Sequence, residues 1–204
     1  MTNIPTRLFA VLPHQVPAGR AAECLHAAAE AGDVAALLLR ADDEGGHVET
    51  RVGAMVKLGR ELDIAVLVED DVRTAAATEA DGVHVTTGPA DATAARRMLG
   101  ADAIVGGECL GKRDEAMRLG EAGVDYLALD QRLEAGGENL LDWWVEMFVV
   151  PVVAIHPVGA AAIADLVRRG ADFVRPSDDM WANAERAREV VTRCMEAIRE
   201  GLGQ

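Results

Sequence analysis

Short apolar runs in this chain are followed closely by polar side chains whose types suit proton exchange, metal ligation or anion capture. His14, His84 and His156 close three such runs, and Asp70, Glu108 and Asp130 close three others. Imidazole nitrogen and carboxylate oxygen together can ligate a divalent cation, or trade protons near neutral pH in a partly dry cleft. No spacing such as HxxxH ties two of the histidines together, so their convergence depends on the fold; rim residues held by ordinary hydrogen bonds are the plain alternative. Cys109 beside Glu108 reads as a reactive thiolate or as a small buried side chain. Its acidic neighbour opposes the thiolate and favours the second. Arg40, Arg132 and Arg175 supply positive charge for a phosphate, with a salt bridge such as Arg40 to Asp70 as the competing role for Arg40.

The elements that must position these groups announce themselves by repetition. Ala80-Asp-Gly-Val-His-Val-Thr86, Ala122-Gly-Val-Asp-Tyr126 and Arg169-Gly-Ala-Asp-Phe-Val174 each run from a small-residue turn with glycine and aspartate into a short apolar strand. A helix feeding a parallel strand requires such a turn. Reading apolar runs as buried strands predicts eight of them, near Leu8 to Leu12, Ala35 to Leu39, Ile64 to Val68, Gly82 to Val85, Ala103 to Val105, Tyr126 to Leu129, Val152 to Ile155 and Phe173 to Val174. Amphipathic segments follow, the last with Ala187, Val190, Val191, Cys194 and Ile198 on one face. The expected fold is α/β, a single (β/α)8 TIM barrel over residues 1–204, with chemistry at the carboxyl ends of its strands. Aromatic residues make up only 3% of the chain, so Ala, Val, Leu and Ile must fill the interior.

A formal charge of −14, from 34 acidic against 20 basic side chains, argues against nucleic acid or an anionic membrane as partner. A small-molecule ligand remains compatible with it. Cys24, Cys109 and Cys194 are far apart and odd in number, which fits a reducing cytoplasm better than a disulfide framework. No run approaches the roughly 18 apolar residues of a membrane span. Trp143, Trp144, Met147 and Phe148 crowd one helix; core packing is expected, with a homo-oligomer surface as the alternative.

Motif by motif, the chain resembles the thiamine-phosphate synthase and thiazole tautomerase (TenI-type) superfamily. Leu37-Leu-Leu-Arg40 falls where that family has Gln-x-Arg-x-Lys, and Val68-Glu-Asp-Asp71 where it has its Asn-Asp turn. Ala80-Asp-Gly-Val-His84 matches the family strand outright. Ala95 to Gly100 with Ile104-Val-Gly106, then Gly123-Val-Asp-Tyr126, Pro151 to Ile155 and Gly170-Ala-Asp172, follow in order. The resemblance implies a synthase that joins a pyrimidine pyrophosphate to a thiazole phosphate in thiamine biosynthesis. It places Mg2+ on Asp70, phosphate or pyrimidine on Arg40, and His84 in the pocket.

Several family positions carry different residues here. Leu38 and Asp42 replace a glutamine and a lysine, Glu69 an asparagine, Pro89 the second magnesium aspartate and Glu108 a serine. Asp130 to Gly137 stands in place of the Thr-x-Thr-Lys loop, and His156-Pro157 in place of Gly-Gly. Arg175 begins a changed strand-eight end, and Gln131 aligns with the tautomerase histidine. At an effective dielectric near 20, charges about 4 Å apart interact by roughly 4 kcal/mol, so a lysine-to-aspartate or serine-to-glutamate exchange turns a phosphate contact repulsive. Three readings stay open. The first is a divergent synthase-like barrel with Asp70 on metal, substrate on Arg40, Glu108, Gln131 and Arg175, and His84, Asp130 and His156 as catalytic groups. The second is a metal-dependent or acid-base enzyme of changed chemistry, and the third a non-catalytic ligand-binding or assembly protein.

Overall fold

The computed structural model describes residues 5–40 and 48–203. In chain order the elements are β1 (Arg7–Leu12), α1 (Ala18–Ala31), β2 (Val34–Leu39), α2 (Val48–Leu62), β3 (Ala65–Glu69), α3 (Val72–Thr78), β4 (Gly82–Val85), α4 (Pro89–Leu99), β5 (Ile104–Cys109), α5 (Arg113–Glu121), β6 (Tyr126–Leu129), β7 (Glu134–Ala135), β8 (Glu138–Asn139), α6 (Leu140–Met147), β9 (Val152–Ala154), α7 (Ala160–Arg168), β10 (Phe173–Val174) and α8 (Ala184–Gly201), with a 3-10 turn at Asp178–Trp181. Eight parallel strands close a barrel in the order β1-β10-β9-β6-β5-β4-β3-β2. The expected TIM barrel is present.

Strand side chains alternate in direction, so each strand feeds two cores. Leu8, Ala10 and Leu12 of β1, and Leu37 and Leu39 of β2, pack outward against the helices. Phe9 and Val11, with Ala36 and Leu38, point into the barrel with Leu67, Tyr126, Ala128, Val153 and Ile155. Both faces being buried is why these strands read as unbroken apolar runs. The helical layer is closed by α8, which buries Ala187, Val190, Val191, Cys194 and Ile198 and packs on α1 and α7.

The recurring turn aspartates hold neighbouring strands in register. Asp81, just before β4, accepts a hydrogen bond from the Val66 N–H of β3 at 2.7 Å; Asp125 does the same for Val105 at 2.7 Å, and Asp172 for Val152 at 2.8 Å. Each aspartate's own N–H returns to the carbonyl of that same residue. A motif noticed for its sequence regularity is thus a repeated strand clamp.

Two features depart from the sequence expectation, and the aromatic helix packs into the core as expected. Strand β5 runs to Cys109 instead of ending at Val105, so Glu108 and Cys109 lie within it. Gly106, Gly107 and Glu108 hide this, since none is apolar enough to extend the run. The β7–β8 hairpin turns through Gly136 and Gly137, both with positive φ, a conformation only glycine adopts cheaply. In the aromatic helix, Trp144 is fully buried, stacks on Phe148 at 4.2 Å and donates its indole N–H to the Val150 carbonyl. Trp143 is half-buried beneath the Arg113 guanidinium, while Met147 stays exposed. No helix among the described residues is long and apolar enough to cross a membrane.

Candidate functional site

Extending the inward parity of each strand by one step past its apolar residues lands on a charged or polar group in six of the eight barrel strands, β1 and β9 reaching Pro13 and Pro157. Arg40 follows Ala36 and Leu38, Glu69 follows Ala65 and Leu67, and Glu108 follows Ile104 and Gly106. Asp130 continues Tyr126 and Ala128, and Arg175 continues Phe173. His84 is the inward residue of β4. These residues belong to the upper layer of the barrel interior, at the carboxyl ends of the strands.

His84, within the strand expected over Gly82 to Val85, lies in β4 and is fully buried. Register places Glu69, His84, Gly106 and Tyr126 level on four adjacent strands. Gly106 has no side chain, so the Tyr126 ring crosses it; a β-carbon there would lie 2.0 Å from the phenol ring. The Tyr126 and His84 rings therefore stack, with centroids 5.7 Å apart, and the Tyr126 hydroxyl lies 2.9 Å from His84 Nδ1. On the other side, His84 Nε2 lies 3.2 Å from Glu108 Oε2. That hydrogen bond is the main cause holding the Glu108 carboxyl below its ordinary range. Burial opposes it, and the positive charges of Arg40 and Arg175 reinforce it. Burial and the charges of Glu108 and Asp125 push the Tyr126 phenol well above its ordinary value, so it stays protonated.

Each mouth cation already has a carboxylate. Arg40 Nε is 3.6 Å from Glu69, with the guanidinium half exposed. Arg175 is 5% exposed, grips Asp178 through Nη2 at 2.6 and 2.8 Å, and reaches the Ile155 carbonyl. Arg132 clasps Asp130, which holds that carboxyl below its usual range. Asp42, an expected departure on strand two, lies outside the described residues.

The remaining predicted residues are drawn into backbone support. Gln131, 6% exposed, donates its amide to the His156 carbonyl at 3.0 Å and accepts from the His156 N–H at 3.3 Å, so both ends of its amide tie the β6 and β9 loops together. His156 itself is half-buried beside Asp130. Asp70, with φ +51, takes the Thr86 N–H on Oδ1 at 2.8 Å and the Thr86 hydroxyl on Oδ2. His14 is exposed and does not join the group. Cys109 is 1% exposed and its thiol is pushed up, chiefly by burial, as expected for a packing residue. A separate apolar cavity of about 270 Å³, lined by Phe9, Leu67, Tyr126 and Phe173 among others, lies at the amino ends of the strands, away from the mouth.

Sequence reasoning missed Tyr126. Its position at the start of an apolar strand reads as core, and only the register across Gly106 reveals its contact with His84.

A family model described as thiamine monophosphate synthase (TMP-TENI) matches residues 8–176 of the barrel. The chain belongs to this family. It is similar to a thiamine-phosphate synthase of Rhodospirillum centenum, 35% identical over 86% of this chain and 89% of that relative. One from Hyphomonas neptunium is 33% identical over 97% of this chain and 95% of the other. In fold it resembles thiamine phosphate pyrophosphorylase from Pyrococcus furiosus, with a TM-score of 0.80 at 22% identity and 97% coverage of both chains.

The magnesium that the family resemblance implies finds a poor donor set here. Both oxygens of Asp70 take hydrogen bonds from Thr86, and Pro89 stands where a second aspartate would be. Among the described residues, no three His, Cys, Asp or Glu side chains are grouped to hold a metal ion. Magnesium usually keeps several waters and one or two carboxylates alongside substrate phosphates. The residues present offer it no dedicated site.

Proposed function

We propose that this chain acts as a thiamine-phosphate-synthase-like barrel that binds a small heteroaromatic, phosphorylated metabolite at its C-terminal mouth and joins a pyrimidine pyrophosphate to a thiazole phosphate. The observation that supports this most is the inward ring of Arg40, His84, Glu108 and Arg175 at the carboxyl ends of the strands, in a chain of this family.

Each group has a task set by its surroundings. Glu108 Oε2 is engaged by His84, while the side chain is 24% exposed. Its Oε1 is therefore an acceptor for a ring amino or N–H group, and a charge-assisted hydrogen bond of this kind contributes about 1.5–3 kcal/mol. Arg40, the most exposed of the inward cations, meets the phosphate and exchanges Glu69 for it. Arg175 stays in place as a buried positive charge that steadies Glu108 and the departing anion. Because carboxylates shadow every cation, phosphate binds only where it outcompetes them, and affinity rests heavily on the heteroaromatic ring.

Calorimetric titration with thiamine phosphate tests this reading. Glu108→Gln and Arg40→Ala are each expected to weaken binding by about tenfold or more, and EDTA to leave the wild-type affinity unchanged. Equal affinity in wild type and both variants would overturn it.

A further inference from the structure

We infer that Tyr126 is a positioning residue that fixes His84 as its Nε2–H tautomer, so that the imidazole donates to Glu108 and presents that carboxylate to the mouth as a fixed acceptor. The inference rests on the reading above only in giving Glu108 a ligand to meet.

Proton accounting at buried groups carries the argument. The Tyr126 side chain is buried, and among the described residues its hydroxyl has one hydrogen-bond partner, His84 Nδ1 at 2.9 Å. A buried hydroxyl that fails to donate costs about 1–3 kcal/mol. Its hydrogen therefore points at Nδ1, which must then carry a lone pair. The ring hydrogen of a neutral imidazole lies on Nε2, aimed at Glu108 Oε2 at 3.2 Å, and an ionised carboxylate can only accept there. Every donor in the series meets an acceptor. The opposite tautomer fails twice, because it strands the Tyr126 hydrogen and sets the Nε2 lone pair against a carboxylate.

The surroundings keep this arrangement one-way. The phenol remains protonated, so it is a permanent donor. Glu108 is faced by Arg40 from β2 and Arg175 from β10, which keep it ionised, while Glu69 stands level with His84 on β3 and Asp125 adjoins Tyr126. Ring stacking holds the two planes within 8° of parallel. The glycine at 106 is what lets the phenol reach: any β-carbon there would overlap it. Glu108 Oε2 is thereby tied down, while Oε1 has no partner among the described residues. A carboxylate fixed through one oxygen orients the other, and acceptors held in place by a second layer of hydrogen bonds lose little entropy when a ligand arrives.

The test uses the full chain labelled with 15N-histidine and no ligand. Long-range 1H–15N correlation near neutral pH reads the tautomer directly, with the His84 signals assigned by their loss in His84→Asn. Wild type is expected to show the Nε2–H form. Tyr126→Phe is expected to lose it in favour of the doubly protonated ring, because Glu108 still accepts from Nε2–H while Nδ1 no longer meets a donor. Glu108→Gln is expected to keep it, since the amide oxygen still accepts. A wild-type ring that is Nδ1–H or doubly protonated would overturn the inference even if Tyr126→Phe did not fold, and so would a folded Tyr126→Phe with an unchanged spectrum. Because no ligand enters this experiment, failure of thiamine phosphate to bind would count against the functional reading alone.

Discussion

Glu108 is held ionised by a histidine hydrogen bond and two nearby guanidinium groups, and that makes its contribution to stability depend on pH in a definite direction. Its folded carboxyl sits below the ordinary 4.5, so the unfolded chain takes up the proton first as pH falls. The stabilisation is present in full above the unfolded value and is lost as pH drops through the folded one. Scanning calorimetry of wild type and Glu108→Gln is expected to show wild type at an advantage near neutral pH that shrinks as pH falls below the ordinary 4.5. A difference constant across that range would show that Glu108 gains nothing from its neighbours. At this scale the sequence was legible in kind but not in partnership. Inward parity carries most strands to polar ends, and it sets Arg40, His84, Glu108 and Arg175 on inward positions near those ends. What could not be read was which group each would hold. Thr86 donates to both oxygens of Asp70, and the Gln131 amide closes on the His156 backbone, partnerships that residue type alone does not announce.

Between neighbouring strands, the clamps at Asp81, Asp125 and Asp172 give the barrel a repeated fastening at its amino end. Removing one carboxylate leaves a strand N–H without its partner. Asp172→Ala is expected to lower unfolding stability by about 1–2 kcal/mol in urea denaturation, with Asp172→Asn losing less because its amide oxygen still accepts. Equal losses for both substitutions would mean that the hydrogen bond is not the cause. Most elements were readable in advance because burial on both faces makes strands uniformly apolar, and α8 shows a clear helical period. Strand β5 was cut short at Val105 because Gly106-Gly-Glu108 carries no apolar signal, although Gly106 is required for the Tyr126 ring to pass. The β7–β8 hairpin escaped notice because two-residue strands have no period to detect.

For the molecule as a whole, the net charge is −14, and among the described residues Arg40, Arg132 and Arg175 at the mouth each have a carboxylate partner. Membership of the thiamine monophosphate synthase family rests on a match across residues 8–176, and the fold on a closed parallel barrel. The reaction rests on whether Arg40, Glu108 and Arg175 can serve a phosphorylated substrate despite those partners. The most direct measurement is formation of thiamine phosphate from the pyrimidine pyrophosphate and thiazole phosphate in magnesium-containing buffer, with the Rhodospirillum centenum relative run beside it. Turnover by the wild type, falling by about tenfold or more in Arg40→Ala, is the predicted result. An inactive wild type beside an active relative would contradict the account.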